Sequence, residues 1–425
     1  MTALSRARGS FSSAGLRLVA ALLSALLFSL AADAQAAWYN SNWQYRKAIT
    51  INAAQVPSDQ TNFPVLISIT DTDLAAAARS DGFDILFTDS DELTKLDHEI
   101  ETYTSGTGAL VAWVRVPTLT SAANKTLYLY YGYASAADQQ NASGVWNANF
   151  LGVWHLKENP ATAGADGIKD STSNANHGTD QGIMDATDQV PGQINGSLDL
   201  DGTDDYVQTL SGELQTANEF TVSAWFKADT AAFAHHLVWQ GDVAGNGWGP
   251  EAEMNLSVGQ FTTQADSNRL SFFLGNDGPD VTTNSLTFGV DFTDATNRNF
   301  VAVTVTNMST SPAAEMFLNG SSVASDTGTL AETTRATWNT NLRIGSDGAA
   351  SREWDGLADE VRISNIAHSA NWIQTEYNNQ NNPGTGGFLA SIGSQETVSA
   401  GSCDGTPTVY STAISTTYNV PAGCD

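Results

Sequence analysis

The 425-residue chain has few cysteines and few basic side chains. Its only two cysteines, Cys403 and Cys424, lie near the carboxyl end, which excludes a disulfide-dense scaffold and leaves most of the chain to ordinary apolar cores. The 18 lysines and arginines are outnumbered by 46 aspartates and glutamates. The resulting net charge of −28 disfavours nucleic acid and anionic membrane surfaces as partners. Acidity of this kind suits solubility outside the cell or the binding of cations.

Several signatures of catalysis are also missing. The sequence has no cysteine-rich zinc spacing, no glycine-rich phosphate loop, no HExxH motif and no serine–histidine–acid order. The six histidines are scattered, and a surface position is the commoner outcome for such residues. The composition therefore favours binding or structure over a nucleotide-dependent or zinc-dependent reaction.

Long apolar runs are absent after residue 36, so the mature chain contains no predicted transmembrane segment. Residues 18–30 form one shorter apolar run, which follows three arginines and precedes the small residues at 34–36. This pattern predicts a cleaved secretory signal peptide over residues 1–36, with an uncleaved anchor as the alternative. Cleavage leaves 15 basic and 45 acidic residues, a net charge of −30. The predicted location is exported: periplasmic, cell-surface or secreted.

The carboxyl-terminal tail contains both cysteines. In an exported chain Cys403 and Cys424 are predicted to form a disulfide, and closing a loop of about 20 residues is worth on the order of 3 kcal/mol. Residues 397–425 are rich in threonine and serine and end abruptly after β-like pieces. We expect this tail to be the start of a further module in a fragment or truncated product.

Residues 37–141 consist of short runs in which apolar and polar side chains alternate. The run at 45–51 is the clearest, and turn residues such as Ser80-Asp81-Gly82 separate the runs. Alternation with a period of two predicts β-strands, and strands joined by short turns predict an antiparallel β-sandwich.

One acidic segment of this region suggests a site at first sight. Asp97, His98, Glu99 and Glu101 are residue types that bind metals or exchange protons. Along a strand, however, Asp97 and Glu99 face one side and His98 faces the other. We therefore predict a solvated strand or loop face here.

The segments 43–51, 62–67, 81–88, 96–101 and 130–132 together resemble DUF2341, a domain of unknown function in exported prokaryotic proteins. The resemblance includes several spaced motifs. It implies no chemistry, because that family has no established activity.

Residues 150–396 also read as a series of strands, the clearest at 220–226 and 300–305, with the turn Asn319-Gly320 of a hairpin. Ser369 is predicted to cap a short helix at 370–378. Six sequence segments occur in the order found in the laminin-G-like, or concanavalin A-like, jelly roll, which this region therefore resembles. The segments are 200–207, 220–226, 300–305, 317–320, 342–345 and 355–363. The predicted fold class is thus all-β, with two β-sandwich domains of which the second is a jelly roll. That superfamily includes lectins, protein-binding modules, glycosidases and lyases, so the fold alone does not select a function.

A structural calcium ion is the sharpest prediction for a site. Leu357, Asp359, Val361 and Ile363 share one face of a strand if the alternation is regular, so Asp359 would point inward and need a partner. By resemblance to jelly rolls in which an opening loop lies near the closing strand, Asp170 and Asn176 are the expected companions. In the alternative, Asp359 accepts hydrogen bonds from backbone amides or an arginine, and Asp170 caps a turn. Asp201, Asp204 and Asp205 form a weaker second candidate, more typical of a turn.

Tryptophans supply the candidate ligand-binding residues. Sugar-binding modules place exposed aromatic rings against pyranose faces, and Trp239, Trp248, Trp338 and Trp354 lie in or beside predicted loops. Packing anchors are the alternative for about half of them. The expected partner is a glycan or another cell-surface macromolecule, bound by an adhesion or recognition protein.

Two other function classes remain open. Glu251 and Glu253 have the spacing of a carboxylate pair in a polysaccharide-cleaving hydrolase or lyase, although a loop is as compatible as a strand. The pairing of modules also resembles pilus-biogenesis proteins, which favours a structural envelope component without a small ligand. No catalytic residue is predicted, and enzymatic activity is the less favoured alternative.

Overall fold

The computed structural model describes residues 38–209, 214, 217–229, 235–241, 252–259, 268–276, 285–308, 311–328, 341–347 and 352–398. Several predictions fall outside these residues: the signal peptide, Trp248, Trp338, Glu251, and the disulfide between Cys403 and Cys424. The described residues from Tyr39 onward belong to a single compact unit. No helix in the described ranges is long and apolar enough to cross a bilayer.

The first part of the chain folds into two antiparallel sheets, as the alternation predicts. The strands are β1 Tyr45–Ile51, β2 Gln60–Thr70, β3 Leu86–Thr88, β4 Lys95–Leu96, β5 His98–Thr104, β6 Ala109–Leu119 and β7 Lys125–Tyr131. A 3-10 helix at Ala53–Gln55 and helix α1 at Thr72–Ala77 connect them, and the Asp71 carboxylate caps α1. Strands β2, β6 and β5 form one sheet, and β1, β7, β3 and β4 lie in the other. Ile49, Val65 and Leu129 are among the fully buried residues between them.

The second part is a larger sandwich of two antiparallel sheets. Its strands are β8 Phe150–Trp154, β9 Gly178–Gln181, β10 Gln189–Pro191, β11 Gly196–Asp201, β12 Tyr206–Thr209, β13 Phe220–Ala228, β14 His235–Gly241, β15 Ala252–Val258, β16 Arg269–Asn276, β17 Ser285–Asp291, β18 Asn299–Thr306, β19 Ala313–Leu318, β20 Ser321–Thr327, β21 Arg343–Ile344 and β22 Asp355–Ser364. Short helices α2 (Ala142–Val145) and α3 (Pro160–Ala163) precede β8 and β9. The all-β, two-sandwich prediction is confirmed.

The two sheets of the larger sandwich have different neighbours. The eight-stranded sheet has the order β10-β11-β22-β13-β18-β19-β20, with β8 also paired to β22. The seven-stranded sheet has the order β17-β16-β15-β14-β21-β12-β9. One apolar core lies between them and includes Trp154, Val222, Leu256 and Trp354. Each large apolar side chain buried there stabilises the fold by roughly 1.5–3 kcal/mol.

The chain then returns to the first sandwich. Helix α4 spans Ala370–Asn381, and the Ser369 side chain accepts a hydrogen bond from the Trp372 amide, as predicted. Strands β23 (Leu389–Ile392) and β24 (Glu396–Thr397) both pair with β1. The strand pattern predicts a jelly roll that extends to residue 396, whereas these two strands extend a sheet of the first sandwich.

Helix α4 packs on the outer face of the eight-stranded sheet. Tyr377 stacks on Trp225 at a ring separation of 5.8 Å, and Ile373 is fully buried in the same cluster. On its other side α4 reaches the first sandwich, where the Asn379 side chain accepts from the Leu66 amide (2.7 Å) and donates to the Leu66 carbonyl (3.1 Å). The helix therefore joins the two sandwiches.

Candidate functional site

Strand β22 contains a β-bulge that redirects the residue on which the calcium prediction depends. Asp359 pairs with Trp225 and Arg362 pairs with Ser223, so β22 has one residue more than β13 between these pairs. Glu360 occupies the bulge with a φ of +51°. Regular alternation is therefore broken: Ala358 and Val361 face the core, while Asp359 lies opposite Trp225, which packs against α4. The prediction that Asp359 points into the sandwich was wrong for this reason.

The Asp359 carboxylate is buried and binds backbone amides. Its Oδ2 accepts hydrogen bonds from the amides of Gln193 (2.7 Å) and Ile194 (3.1 Å). Burial and the neighbouring Glu360 charge raise its pKa well above the ordinary value. These two hydrogen bonds match the alternative in which Asp359 accepts from backbone amides.

Asp170 has a separate set of partners. Its Oδ1 accepts from the amides of Val153 (3.0 Å) and Thr172 (2.9 Å). Its Oδ2 accepts from the Thr172 hydroxyl and the Asn176 amide, both at 2.8 Å. Asp170 and Asn176 thus lie together in one loop, but the described contacts do not join them to Asp359. This matches the alternative in which Asp170 caps a turn.

The weaker calcium candidate is the group that the fold assembles. Carboxylate oxygens of Asp201, Asp204 and Asp205 lie within 4.8 Å of one another. Asp201 Oδ1 also accepts from the amides of Thr203 (2.8 Å) and Asp204 (3.3 Å), as in an ordinary acidic turn. Burial, followed by the charges of Asp201 and other acids, raises the pKa of Asp205 to about 6. Calcium binding stays a prediction for this chain.

Trp354 is a core residue and not a ligand-binding one. Its side chain is fully buried in the apolar core, edge-on to Phe226 at a ring separation of 5.7 Å. The indole N–H donates to the Leu357 carbonyl at 3.2 Å. The sequence predicts that Trp354 lies in or beside a loop, but β22 begins at the next residue and the Trp354 side chain belongs to the core.

Trp239 belongs to a row of residues that crosses the seven-stranded sheet. The pairing registers align one residue from each of β12, β21, β14, β15 and β16: Gln208, Arg343, Trp239, Asn255 and Phe273. We call these five residues the cross-strand row. The adjacent residues Val207, Ile344, Val238, Leu256 and Phe272 belong to the core. Because side chains alternate along a strand, the cross-strand row faces away from the core.

The cross-strand row combines aromatic rings with planar polar groups. The Arg343 guanidinium lies 5.4 Å from the Trp239 ring centre and 5.7 Å from that of Tyr206. Trp239, Asn255 and Phe273 are buried, whereas Gln208, Tyr206 and Arg343 are half-buried. The first three residues are therefore inaccessible to solvent, and the other three form a partly accessible edge of the sheet face. Of the predicted ligand residues that the structure describes, only Trp239 lies here.

A buried histidine lies beside Asn255 of the cross-strand row. His236 pairs with Ser257, and its Nε2 lies 3.7 Å from Asp347 Oδ2. Burial lowers the pKa of His236 to about 4 despite the Asp347 charge. Sequence reasoning missed Arg343 and Asn255 as site residues: residues 342–345 indicated the fold alone, no motif includes Asn255, and only the register brings both beside Trp239. The backbone of Glu253 pairs with Gly241 and Gly275, so this residue of the Glu251 and Glu253 pair lies on a strand.

The acidic segment of the first sandwich is buried instead of solvated. His98 is fully buried, and Glu99 and Glu101 are 8% and 9% exposed. Glu99 and Glu101 lie against the second sandwich, which covers the face that an isolated domain would leave in solvent. The alternation was therefore correct, but the neighbouring module could not be seen from the strand pattern.

Two family models match the chain. The model of DUF2341, a domain of unknown function, matches residues 81–153, and that of the concanavalin A-like lectin/glucanases superfamily matches residues 201–374. No curated protein matches significantly.

Among solved structures, domain 4 of AbnA, a GH43 extracellular arabinanase from Geobacillus stearothermophilus in complex with arabinotriose, is 16% identical over 54% of this chain and 98% of that one, with a TM-score of 0.38. The binding domain of Paraclostridial Mosquitocidal Protein 1 is 14% identical over 54% of this chain and 52% of that one, with a TM-score of 0.37. The botulinum neurotoxin serotype D binding domain is 13% identical over 54% of this chain and 51% of that one, with a TM-score of 0.37. The matches thus span about half of each toxin chain.

Both resemblances found in the sequence are confirmed as matches: the DUF2341 model at residues 81–153 is followed by the concanavalin A-like lectin/glucanases model at residues 201–374.

Proposed function

We propose that this chain is an exported recognition protein that binds a glycan at the outer face of the seven-stranded sheet. The cross-strand row is the observation that carries the proposal. Sugar sites combine aromatic ring faces with a few planar polar groups that pair with adjacent hydroxyls. The half-buried guanidinium of Arg343, amide of Gln208 and ring of Tyr206 supply both kinds of group at the accessible edge, and Trp239 and Asn255 lie buried beside them.

The position of this face supports the proposal. The outer face of the other sheet is occupied by α4 and the first sandwich. The face with the cross-strand row is directed to the opposite side of the jelly roll, away from those contacts. By chain position Trp248 lies between β14 and β15, and Trp338 lies between β20 and β21. Both connections join strands of the proposed site or lead into them, so these residues remain proposed ligand-binding residues.

A structural calcium ion is a separate part of the proposal. The acidic turn of Asp201, Asp204 and Asp205 is its best-assembled candidate, and the ion would be tested by a melting scan with calcium and with chelator at neutral pH. A melting temperature that is the same in both conditions would refute the proposed calcium ion.

Binding is tested with residues 37–425 on a glycan array, followed by titration of the strongest hit. We expect Arg343→Ala and Tyr206→Ala to weaken binding at least tenfold with little change in melting temperature. The matched control is Arg298→Ala, which removes an exposed arginine from the connection just before β18 and is expected to bind as the wild type does. Binding unaffected by both site variants would refute the proposed face. Release of reducing ends from a bound polysaccharide would instead support the hydrolase alternative.

A further inference from the structure

The junction of the two sandwiches contains a cluster of buried charges that glycan binding does not explain. Strand β5 contributes Glu99 and Glu101, the residue after β8 is His155, and β22 contributes Glu360 and Arg362. His155, Glu360 and Arg362 are 2%, 1% and 3% exposed. Charged groups this deeply buried are stable only when they are paired.

His155 lies at the centre of the cluster. Its Nδ1 is 2.7 Å from Glu360 Oε1 and 3.4 Å from Glu101 Oε1, and its Nε2 is 3.4 Å from Glu99 Oε2. The ring stacks on Trp113, with ring centres 6.1 Å apart. Both ring nitrogens therefore face carboxylate oxygens. A neutral imidazole has one N–H, whereas an imidazolium has two, so only the charged form donates on both sides.

The carboxylates of Glu99 and Glu101 also accept hydrogen bonds from other side chains. Ser171 Oγ and Trp146 Nε1 donate to the two oxygens of Glu99 at 2.6 and 2.7 Å. Trp113 Nε1 and Asn195 Nδ2 donate to those of Glu101 at 2.5 and 3.4 Å. This is a closed hydrogen-bond network, which a proton on His155 completes.

Arg362 extends the network to helix α4. Its Nη2 donates to Glu360 Oε2 at 2.6 Å and its Nη1 donates to Glu376 Oε1 at 2.9 Å. The guanidinium carbon lies 4.3 Å from the Trp113 ring centre and 4.8 Å from that of Trp146. Because Trp113 belongs to the first sandwich and Arg362 to the second, these contacts cross the junction.

We propose that His155 is held as an imidazolium that joins the first sandwich to the jelly roll, and that loss of its proton loosens the contact between them. The proposal does not depend on the proposed glycan site.

The charges that face the cluster agree with this assignment. They come from every element around it: Glu99 and Glu101 on β5, Lys157 after β8, Asp359, Glu360 and Arg362 on β22, and Glu376 on α4. Burial opposes a charge on His155, but Glu360, Glu101 and Glu99 outweigh burial and raise its pKa well above 6.5. Burial and the Glu360 charge raise the pKa of Glu101 to about 7.

The sign of the pH effect follows from the raised pKa of His155. Stabilisation by this group is fully present below the ordinary histidine pKa of about 6.5 and is lost as pH rises through the folded-state pKa. Ionisation of Glu101 destabilises the fold as pH rises from its ordinary pKa of about 4.3 through its raised pKa near 7. An alkaline medium is therefore expected to weaken the junction.

The direct test is nitrogen NMR of ¹⁵N-histidine-labelled residues 37–425, with the His155 signals assigned from a His155→Gln variant. At pH 8 we expect both ring nitrogens of His155 to be protonated. The control is His177→Gln, which removes a half-buried histidine outside the cluster and leaves the His155 signals unchanged. A neutral His155 ring at pH 8 overturns the proposal.

Melting scans supply a second readout that a merely structural histidine would not give. His155→Gln is expected to lower the melting temperature at pH 6, and the difference from the wild type is expected to shrink as pH rises. A difference that stays constant with pH overturns the proposal. So does a zinc-dependent rise in melting temperature that His155→Gln abolishes, because a bound metal and a proton compete for the same nitrogen.

Discussion

At the scale of single residues, the β-bulge in β22 determines which face of the strand its charged side chains occupy. Because Glu360 is an extra residue in β22, Asp359, Glu360 and Arg362 face the junction while Val361 stays in the core. The sequence correctly identified the strand and the burial of Asp359. It did not reveal the bulge, because the extra residue is a glutamate and not the glycine that commonly marks a positive φ.

Removing the guanidinium at the junction tests the importance of that pairing. Arg362→Met would leave the buried Glu376 carboxylate without its cation and Glu360 with His155 alone, and we expect a loss of about 3–5 kcal/mol in the free energy of unfolding. Urea denaturation at neutral pH measures the loss. The exposed Arg298→Met serves as control, with an expected change within about 0.5 kcal/mol. Equal stability of the two variants would show that Arg362 is not needed for folding.

At the scale of elements, helix α4 shows the limit of pattern reasoning. Its Ser369 cap predicts a short helix, which the structure confirms, and its apolar residues Trp372, Ile373 and Tyr377 pack on the sheet. The same helix also buries Thr375, Glu376, Asn379 and Gln380. A second buried face made of polar groups cannot be distinguished from a solvated one without knowing what covers it. The Thr375 hydroxyl donates to the Asn371 carbonyl within the helix. Glu376, Asn379 and Gln380 instead have partners far away in sequence, in β2, β13 and β22.

Asn379 tests the polar contact of α4 with the first sandwich. Asn379→Ala removes an acceptor and a donor that satisfy the Leu66 amide and carbonyl in β2. Leaving buried backbone groups unpaired costs about 1–3 kcal/mol, so we expect a loss of that size in the free energy of unfolding. The matched control is Asn371→Ala on the exposed side of the same helix. If both variants lose the same stability, the Leu66 contact contributes nothing specific.

At the scale of the whole molecule, the two sandwiches are interleaved along the chain. The first sandwich is closed by β23 and β24, which follow the entire jelly roll and pair with β1. The sequence predicted the fold of each sandwich because short strands leave a local signal. The closing strands are only four and two residues long. No local sequence pattern can show that so short a strand pairs with β1, which lies more than 300 residues earlier in the chain.

Truncation tests the role of the closing strands. A chain that ends after residue 387 lacks β23, including the fully buried Leu389, and exposes the edge of β1. We expect a markedly lower melting temperature than that of a chain ending after residue 398, which keeps both strands. Equal melting temperatures would mean that the first sandwich is complete without them.

We expect helix α4, the closing strands and the buried cluster around His155 to make the two sandwiches one cooperative unit. Differential scanning calorimetry of residues 37–398 at pH 6 tests it most directly. The account predicts one transition whose calorimetric and van't Hoff enthalpies agree. Two separate transitions, one for each sandwich, would contradict it.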